Sequence, residues 1–310
     1  MRIAFLGTPD FAVPSLEALA AAGHEVPCVV CQPDRPAGRG RALREPAVKR
    51  WARERGLPVL QPEKVRDGRL ASDLAAHAPD LLAVAAYGRI LGTDLLELAP
   101  HGAVNVHGSL LPRFRGAAPI QWAVAEGERE TGVTIMQMDP GLDTGDVLLQ
   151  RALPIAPEDT AETLSPRLAR LGGEALVEAL RLLERGQLVP VRQDHSRATL
   201  APILEKDHGR ADWSLPGRRL RDRLRGFAPW PGLWTTLEGR LLKILAAEVL
   251  EAGAAPGPPG SAEKVHGRGF AVACGSGALL VSEVQLEGKR RQGALEFLNG
   301  LRRDAFTLGT

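Results

Sequence analysis

The sequence lacks the features that mark several large classes of protein. It has only 3 cysteines among 310 residues, an odd number that argues against a disulfide framework. No apolar run approaches the roughly 20 residues that a membrane-spanning helix needs. The amino-terminal residues enter a strand pattern directly, without the cleavage region of a signal peptide. We therefore expect a cytoplasmic protein that has no membrane segment.

Two further absences concern cofactors. The first strand pattern ends at Gly7, and the turn after it lacks the Gly-x-Gly-x-x-Gly sequence of dinucleotide-binding proteins. A nicotinamide or flavin oxidoreductase is therefore disfavoured. Cys28 and Cys31 have the spacing of zinc and redox sites, but they stand in an apolar strand pattern with no second pair. We expect buried strand residues there, and no metal site.

The order of the patterns predicts two domains. Hydrophobic residues make up 44% of the chain and charged residues 25%, as in globular proteins, and the length exceeds that of one typical domain. Strand and helix patterns alternate over residues 1–187, a linker follows at 188–204, and short alternating runs with Gly/Pro turns occupy 205–310. We expect an α/β domain with a doubly wound, mainly parallel sheet, followed by a small OB-like β-barrel.

The net charge of +2 is unevenly distributed. Residues 205–310 hold 16 Lys/Arg against 12 Asp/Glu, so the basic surplus lies in the predicted barrel. Residues 35–55 form a second basic stretch, in which prolines and glycines keep Arg35, Arg39 and Arg41 in a loop. Guanidinium groups suit bidentate contacts with phosphate, so both regions are candidate nucleic-acid surfaces. An ordinary solvated surface is the alternative for each.

The candidate catalytic residues lie at the ends of two predicted strands. Asn105 and His107 are two apart where a buried strand pattern stops, so both side chains point to one face at the edge where α/β sheets bind ligands. A second loop after a strand carries Asp139, Asp143 and Asp146, with separations unlike those of an EF-hand. An amide, an imidazole and a carboxylate can together catalyse acyl transfer. Spacing does not choose among the three acids, and a structural histidine is the alternative.

Three segments carry a family resemblance: Asn105–Pro112 (NVHGSLLP), Arg113–Gln121 (RFRGAAPIQ) and Gly132–Gly145. They resemble the 10-formyltetrahydrofolate-dependent formyltransferases, and the likeness covers nearly the full length. It implies transfer of a formyl group from that folate cosubstrate to the α-amino group of methionine esterified to initiator tRNA. Asn105 and His107 would stabilise the oxyanion, and Asp143 would favour protonated His107.

The resemblance also implies binding residues and partners. The folate would contact the loop after His107 and a second strand end, through Ser109, Leu110, Leu111, Pro112, Arg89, Ile90 and Leu91. The tRNA acceptor arm would contact Arg35, Arg39 and Arg41, together with the carboxyl-terminal barrel. We expect a monomer.

Other functions share parts of this pattern. A glycinamide ribonucleotide formyltransferase needs no carboxyl-terminal barrel, and in an amino-sugar formyltransferase the arginine loop would have no phosphate chain to bind. A 10-formyltetrahydrofolate hydrolase would use water as the acceptor. An RNA-binding module with an inactive formyltransferase fold is a further alternative. Against it, the candidate catalytic residues Asn105, His107 and Asp143 are all present.

Overall fold

The protein is described here from a computed structural model, which covers residues 1–37, 42–250 and 257–309. The chain divides into two compact units. The first contains Met1–Pro119, Glu130–Pro154 and Leu164–Pro202. The second contains Ile120–Arg129, Ile155–Thr163 and Ile203–Thr310. Within the described residues no helix has the length and apolar composition that a bilayer crossing requires.

The first unit is built on a sheet. Its strands are β1 (Ile3–Gly7), β2 (Val29–Val30), β3 (Arg35–Ala37), β4 (Ala42–Arg44), β5 (Val59–Leu60), β6 (Leu81–Ala85), β7 (Ala103–His107), β8 (Glu130–Gln137) and β9 (Val147–Pro154). Seven of them follow the order β5-β2-β1-β6-β7-β8-β9. Neighbours from β5 to β7 run parallel, and β8 and β9 are antiparallel to their neighbours. β3 and β4 form a separate hairpin.

Helices lie between these strands, as a parallel sheet requires, and a last helix follows β9. They are α1 (Val13–Ala21), α2 (Ala47–Arg53), α3 (Arg69–Ala75), α4 (Thr93–Leu96), α5 (Pro119–Ala125) and α6 (Ala161–Glu184). β1 and β6 are buried at every position, which explains their unbroken apolar sequences. The strand order changes direction at β1, because β2 and β5 lie on one side of it and β6 and β7 on the other. Such a reversal opens a crevice at the carboxyl ends of the strands.

The second unit contains an antiparallel sheet. Its elements are α7 (Gly217–Gly226), β10 (Leu233–Leu237), β11 (Arg240–Leu250), β12 (Ser261–Val265), β13 (Gly269–Ala273), β14 (Ala278–Leu286), β15 (Gln292–Gly293), α8 (Ala294–Leu301) and β16 (Ala305–Thr307). The order is β10-β11-β14-β13-β12-β16, and β15 pairs with β14. The rings of Phe270, Phe297 and Phe306 meet in its core with centroids 5.2–6.4 Å apart.

The mainly parallel sheet of the first unit confirms the predicted α/β class, and an antiparallel sheet follows it as expected. The strand pattern that contains Cys28 and Cys31 forms only a short strand, because Pro27 has no N–H for a ladder and only Val29–Val30 pairs regularly. The segment predicted as a linker makes regular contacts within the first unit. Val191 forms a bridge with Val147, and Leu200 forms one with Arg115.

Candidate active site

The carboxyl end of β7 presents two polar side chains. Asn105 is aligned with Val84 of β6 and Met136 of β8, so it lies in the middle of the sheet. Within the described residues no hydrogen bond engages its half-buried side-chain amide. His107 is 4% exposed and is aligned with Thr134 of β8. The strand therefore holds an amide donor and an imidazole on the same face.

The His107 imidazole has a defined neighbour on each nitrogen. Nε2 lies 2.9 Å from the Phe114 carbonyl oxygen, and because that oxygen only accepts, Nε2 donates. Nδ1 lies 3.6 Å from Oδ2 of Asp143. The same carboxylate oxygen accepts a 2.8 Å hydrogen bond from the Gly116 amide. The ring therefore faces a carboxylate whose position is fixed by a backbone hydrogen bond.

The structure distinguishes the three acids of the second loop. Asp139 accepts from the Thr144 hydroxyl at 2.7 and 2.8 Å and from the Gly141 amide at 3.1 Å, so its carboxylate stabilises the turn. Asp146 contributes its backbone carbonyl to the Gln137 amide, at 2.9 Å. Asp143 alone of the three forms an ion pair with His107 in the described structure.

The loop after His107 is fixed by hydrogen bonds from neighbouring strands. Ser109 is fully buried, and its hydroxyl donates to the Arg113 carbonyl at 2.7 Å. The Thr134 hydroxyl donates to the Ser109 carbonyl at 2.7 Å and accepts from the Leu111 amide at 3.1 Å. Gln150 donates to the Leu111 carbonyl at 2.8 Å. Hydrogen bonds of Ser109 and Leu111 therefore hold the conformation of the loop. Leu110 is half-buried, and Pro112 follows a cis peptide bond.

Sequence analysis did not identify Thr134 or Gln150. Thr134 is a fully buried hydroxyl between the apolar residues Val133 and Ile135, and Gln150 bonds both to it and to the loop. A polar residue inside an apolar strand pattern is the signal that could have identified Thr134. Gln150 has no such signal, because it stands beside Arg151 in a strand of partly buried residues.

The second predicted ligand-binding stretch, after β6, has two kinds of residue. Arg89 and Ile90 are exposed, and Ile90 has 64% of its surface accessible. Leu91 is 4% exposed and packs in the core with Leu70 and Leu95. The side chains of Arg89 and Ile90 are therefore accessible to a ligand, whereas that of Leu91 packs in the core and holds the loop in place.

The basic stretch is largely paired with acids where it is described. Lys49 lies 2.7 Å from Asp34, and Arg53 lies 2.9 Å from Glu45. Arg35 is exposed on β3 and forms no ion pair with another described residue. Arg39 and Arg41 lie outside the described residues. In the helical part of the stretch, Lys49 and Arg53 thus have acidic partners.

The CxxC pair lies in the interior. Cys28 and Cys31 are both free and buried. Burial raises the pKa of Cys28 to about 11 and that of Cys31 to about 12. A thiol with so high a pKa has almost no reactive thiolate at neutral pH.

Comparison with known proteins agrees with this geometry. Residues 1–180 match the family described as formyl transferase, and residues 203–302 match its carboxyl-terminal domain. The chain is 73% identical over 312 residues to methionyl-tRNA formyltransferase of Anaeromyxobacter dehalogenans, covering 100% of both chains. It is 53% identical over 299 residues to that of Myxococcus xanthus, covering 96% of this chain and 95% of the relative.

A solved structure shows the same fold. HypX from Aquifex aeolicus, crystallised in complex with tetrahydrofolic acid, superposes with a TM-score of 0.63 at 19% identity. The match covers 98% of this chain and 48% of that chain, so this chain spans about half of HypX.

The chain therefore belongs to the formyl transferase family. Within that family it belongs with the methionyl-tRNA formyltransferases, which are its full-length relatives.

Proposed function

We propose that this protein transfers the formyl group of 10-formyltetrahydrofolate to the α-amino group of methionine esterified to initiator tRNA, which yields N-formylmethionyl-tRNA for translation initiation. The observation that carries the proposal is the position of Asp143, 3.6 Å from His107 and on the loop that follows β8. The Asn105 amide, which has no hydrogen-bond partner among the described residues, lies two residues from His107 on the same strand face.

The nucleophile in this reaction belongs to the substrate. An α-amino group has an ordinary pKa of about 7.7–8.0, so a useful fraction is neutral at cellular pH. The amine attacks the formyl carbon, the new C–N bond forms, and the carbonyl oxygen becomes an oxyanion. The bond to N10 of the folate then breaks, N10 gains a proton, and the amine loses one to Asp143 or to a water. No covalent enzyme intermediate is required.

The protein stabilises the oxyanion through two donors. The Asn105 amide is unengaged within the described structure, so it can donate an N–H. On His107, Nε2 is occupied by the Phe114 carbonyl, which leaves Nδ1 as the nitrogen that faces the site. Its distance of 3.6 Å from Asp143 is longer than a hydrogen bond, so Nδ1–H can point at a third oxygen while the carboxylate balances the ring's charge.

The folate is proposed to bind along the loop after His107 and the loop after β6. In the first loop, Leu110 and Pro112 offer apolar surface, while Ser109 and Leu111 fix the backbone whose polar groups a ligand would meet. In the second loop, exposed Arg89 and Ile90 would contact the ligand and Leu91 would support them. The bound tetrahydrofolic acid of HypX supports a folate cosubstrate for this fold.

The tRNA is proposed to contact Arg35, Arg39 and Arg41 and the carboxyl-terminal domain, residues 205–310. The antiparallel sheet of the second unit is compatible with an OB-like barrel, a fold that often binds nucleic acids. Not all of its arginines are available. On α7 three of them form ion pairs inside the second unit, Arg219 with Glu126, Arg221 with Glu158 and Arg225 with Asp222.

Replacing the oxyanion donor tests the mechanism directly. Asn105→Ala should fold normally and lose formyl transfer by about 10²- to 10³-fold in kcat, the usual cost of one such donor. The only other asparagine, Asn299, is exposed on α8, so Asn299→Ala is a matched control with unchanged turnover. A folded Asn105→Ala variant with wild-type kcat would remove Asn105 from the mechanism.

A further inference from the structure

A segment after α6 packs closely beside the candidate active site. The Thr199 carbonyl accepts from the Arg115 amide at 2.8 Å, and the Ala201 amide donates to the Arg115 carbonyl at 2.7 Å. The Thr199 hydroxyl accepts from the Phe114 amide at 2.8 Å. Residues 193–201, part of the predicted linker, are thus fastened to the backbone that receives the His107 hydrogen bond.

Gln193 is the buried anchor of this segment. Its side-chain nitrogen donates to the Asp143 carbonyl at 3.0 Å and to the Gly145 carbonyl at 2.7 Å. Its side-chain oxygen accepts from Arg115 twice, at 3.2 Å from Nε and 2.6 Å from Nη2. Because a guanidinium only donates and a carbonyl only accepts, this orientation of the amide is the one that satisfies all its partners. Gln193 is 5% exposed and Arg115 is 7% exposed.

The Asp143 loop needs such an anchor. Asp143 has a φ of 51°, in the left-handed region that a non-glycine residue adopts at a cost of about 1–3 kcal/mol. The two carbonyls that Gln193 binds lie on either side of Thr144, so one side chain fixes both ends of that turn. Arg115 immediately precedes Gly116, whose amide binds the Asp143 carboxylate. The Arg115–Gln193 pair therefore contacts both backbone segments that hold this carboxylate.

We propose that Gln193, held by Arg115, is a positioning residue that keeps the Asp143 carboxylate against His107. Gln193 hydrogen-bonds to backbone carbonyls and to Arg115, and it acts on the reaction only through Asp143. This inference rests on the proposed function, since it assumes that Asp143 serves formyl transfer.

Gln193→Glu is the sharpest variant. A glutamate keeps the length of the side chain and still accepts from Arg115, but it loses both N–H donors and places a carboxylate against two carbonyl oxygens. We expect kcat to fall by about 10- to 100-fold, the effect of displacing a catalytic group by a fraction of an ångström to 1 Å. KM for charged tRNA and for the folate should stay within about twofold. The matched control is Gln187→Glu, the same change at an exposed position after α6.

The pH dependence of kcat separates positioning from simple loss of folded protein. Partial unfolding scales the whole profile without changing its shape. Displacement of Asp143 changes the shape, so the Gln193→Glu profile should shift in the same direction as that of Asp143→Asn, while Gln187→Glu matches wild type. Arg115→Lys should reproduce the Gln193→Glu effect, and the double variant should lose little more than either single variant, because both act through one contact.

The outcomes are distinguishable. Wild-type turnover in Asp143→Asn would overturn the proposed role of Asp143 itself. A large loss in Asp143→Asn, with Gln193→Glu and Arg115→Lys both retaining the wild-type profile and kcat per folded molecule, would overturn only the positioning role. If Gln193→Glu folds poorly, Arg115→Lys decides, since a wild-type profile in that variant also overturns the inference.

Discussion

Removing the negative charge of Asp143 tests how much its interaction with His107 contributes to the rate of formyl transfer. Asp143→Asn keeps the size of the side chain and an oxygen that can accept from the Gly116 amide, so the loop should retain its shape. The Asp143 carboxylate and the His107 ring are 3.6 Å apart, and for two opposite unit charges at that distance the Coulomb energy is about 4.6 kcal/mol at an effective dielectric constant of about 20.

The expected loss is smaller than that Coulomb energy. The Asp143 side chain is 14% exposed and that of His107 is 5% exposed, so water screens part of the interaction. We take about 3–4 kcal/mol as the change in transition-state stabilisation, which is a loss of about 10²- to 10³-fold in kcat. KM should change little, because the charge matters most when the oxyanion forms.

Single-turnover formyl transfer at saturating substrate is the assay that isolates this step. Asp146→Asn is the control, since it makes the same change in the same loop and Asp146 forms no ion pair with any described residue. A folded Asp143→Asn variant that transfers formyl within about threefold of wild type would refute the reasoning, because charge on the loop would then contribute nothing to the barrier.

Three further predictions concern binding, stability and reactivity. Reversing the charge of Arg39 and Arg41 to Glu should weaken tRNA binding and flatten the salt dependence of its affinity, and an unchanged slope would mean that the loop does not contact phosphate. Arg225→Ala should lower the free energy of unfolding in urea by about 3 kcal/mol, because it leaves the buried carboxylate of Asp222 unpaired. Replacing the exposed Arg218 by Ala should change that free energy by less than about 0.5 kcal/mol. Equal effects of the two variants would contradict a stabilising role of the Arg225–Asp222 pair. Burial raises the pKa of each of the three cysteines to about 11 or about 12. The folded protein should therefore resist alkylation at pH 8, and the unfolded protein should react fully. Rapid labelling of the folded protein would contradict the burial of these thiols.

Elements with strong periodic patterns were predictable from the sequence. Unbroken apolar runs mark β1 and β6, and leucines repeat at helical spacing along α6, although Pro166 lies inside that helix. Two features were not predicted. One is the pairing of β3 with β4, and the other is the helix α8. Local sequence is weak evidence for such short elements, because packing decides whether they form.

The site was predictable only in part. Asn105 and His107 follow from a two-residue repeat at a strand end, but the choice of Asp143 depends on which loop carboxylate reaches His107, and that is tertiary geometry. Gln193 had no signal at all. Its partners lie 48–78 residues away, and a glutamine in a polar segment has no periodicity to distinguish it.

The most direct test of the account is the choice of formyl acceptor. The purified protein would be given 10-formyltetrahydrofolate with methionine-charged initiator tRNA, glycinamide ribonucleotide or an amino-sugar nucleotide in separate reactions. We predict rapid formyl transfer to the charged tRNA and none to the two small molecules. Transfer to a small molecule alone would contradict the account, because the site residues would then serve a different acceptor and the basic loop and carboxyl-terminal domain would have no role in binding tRNA.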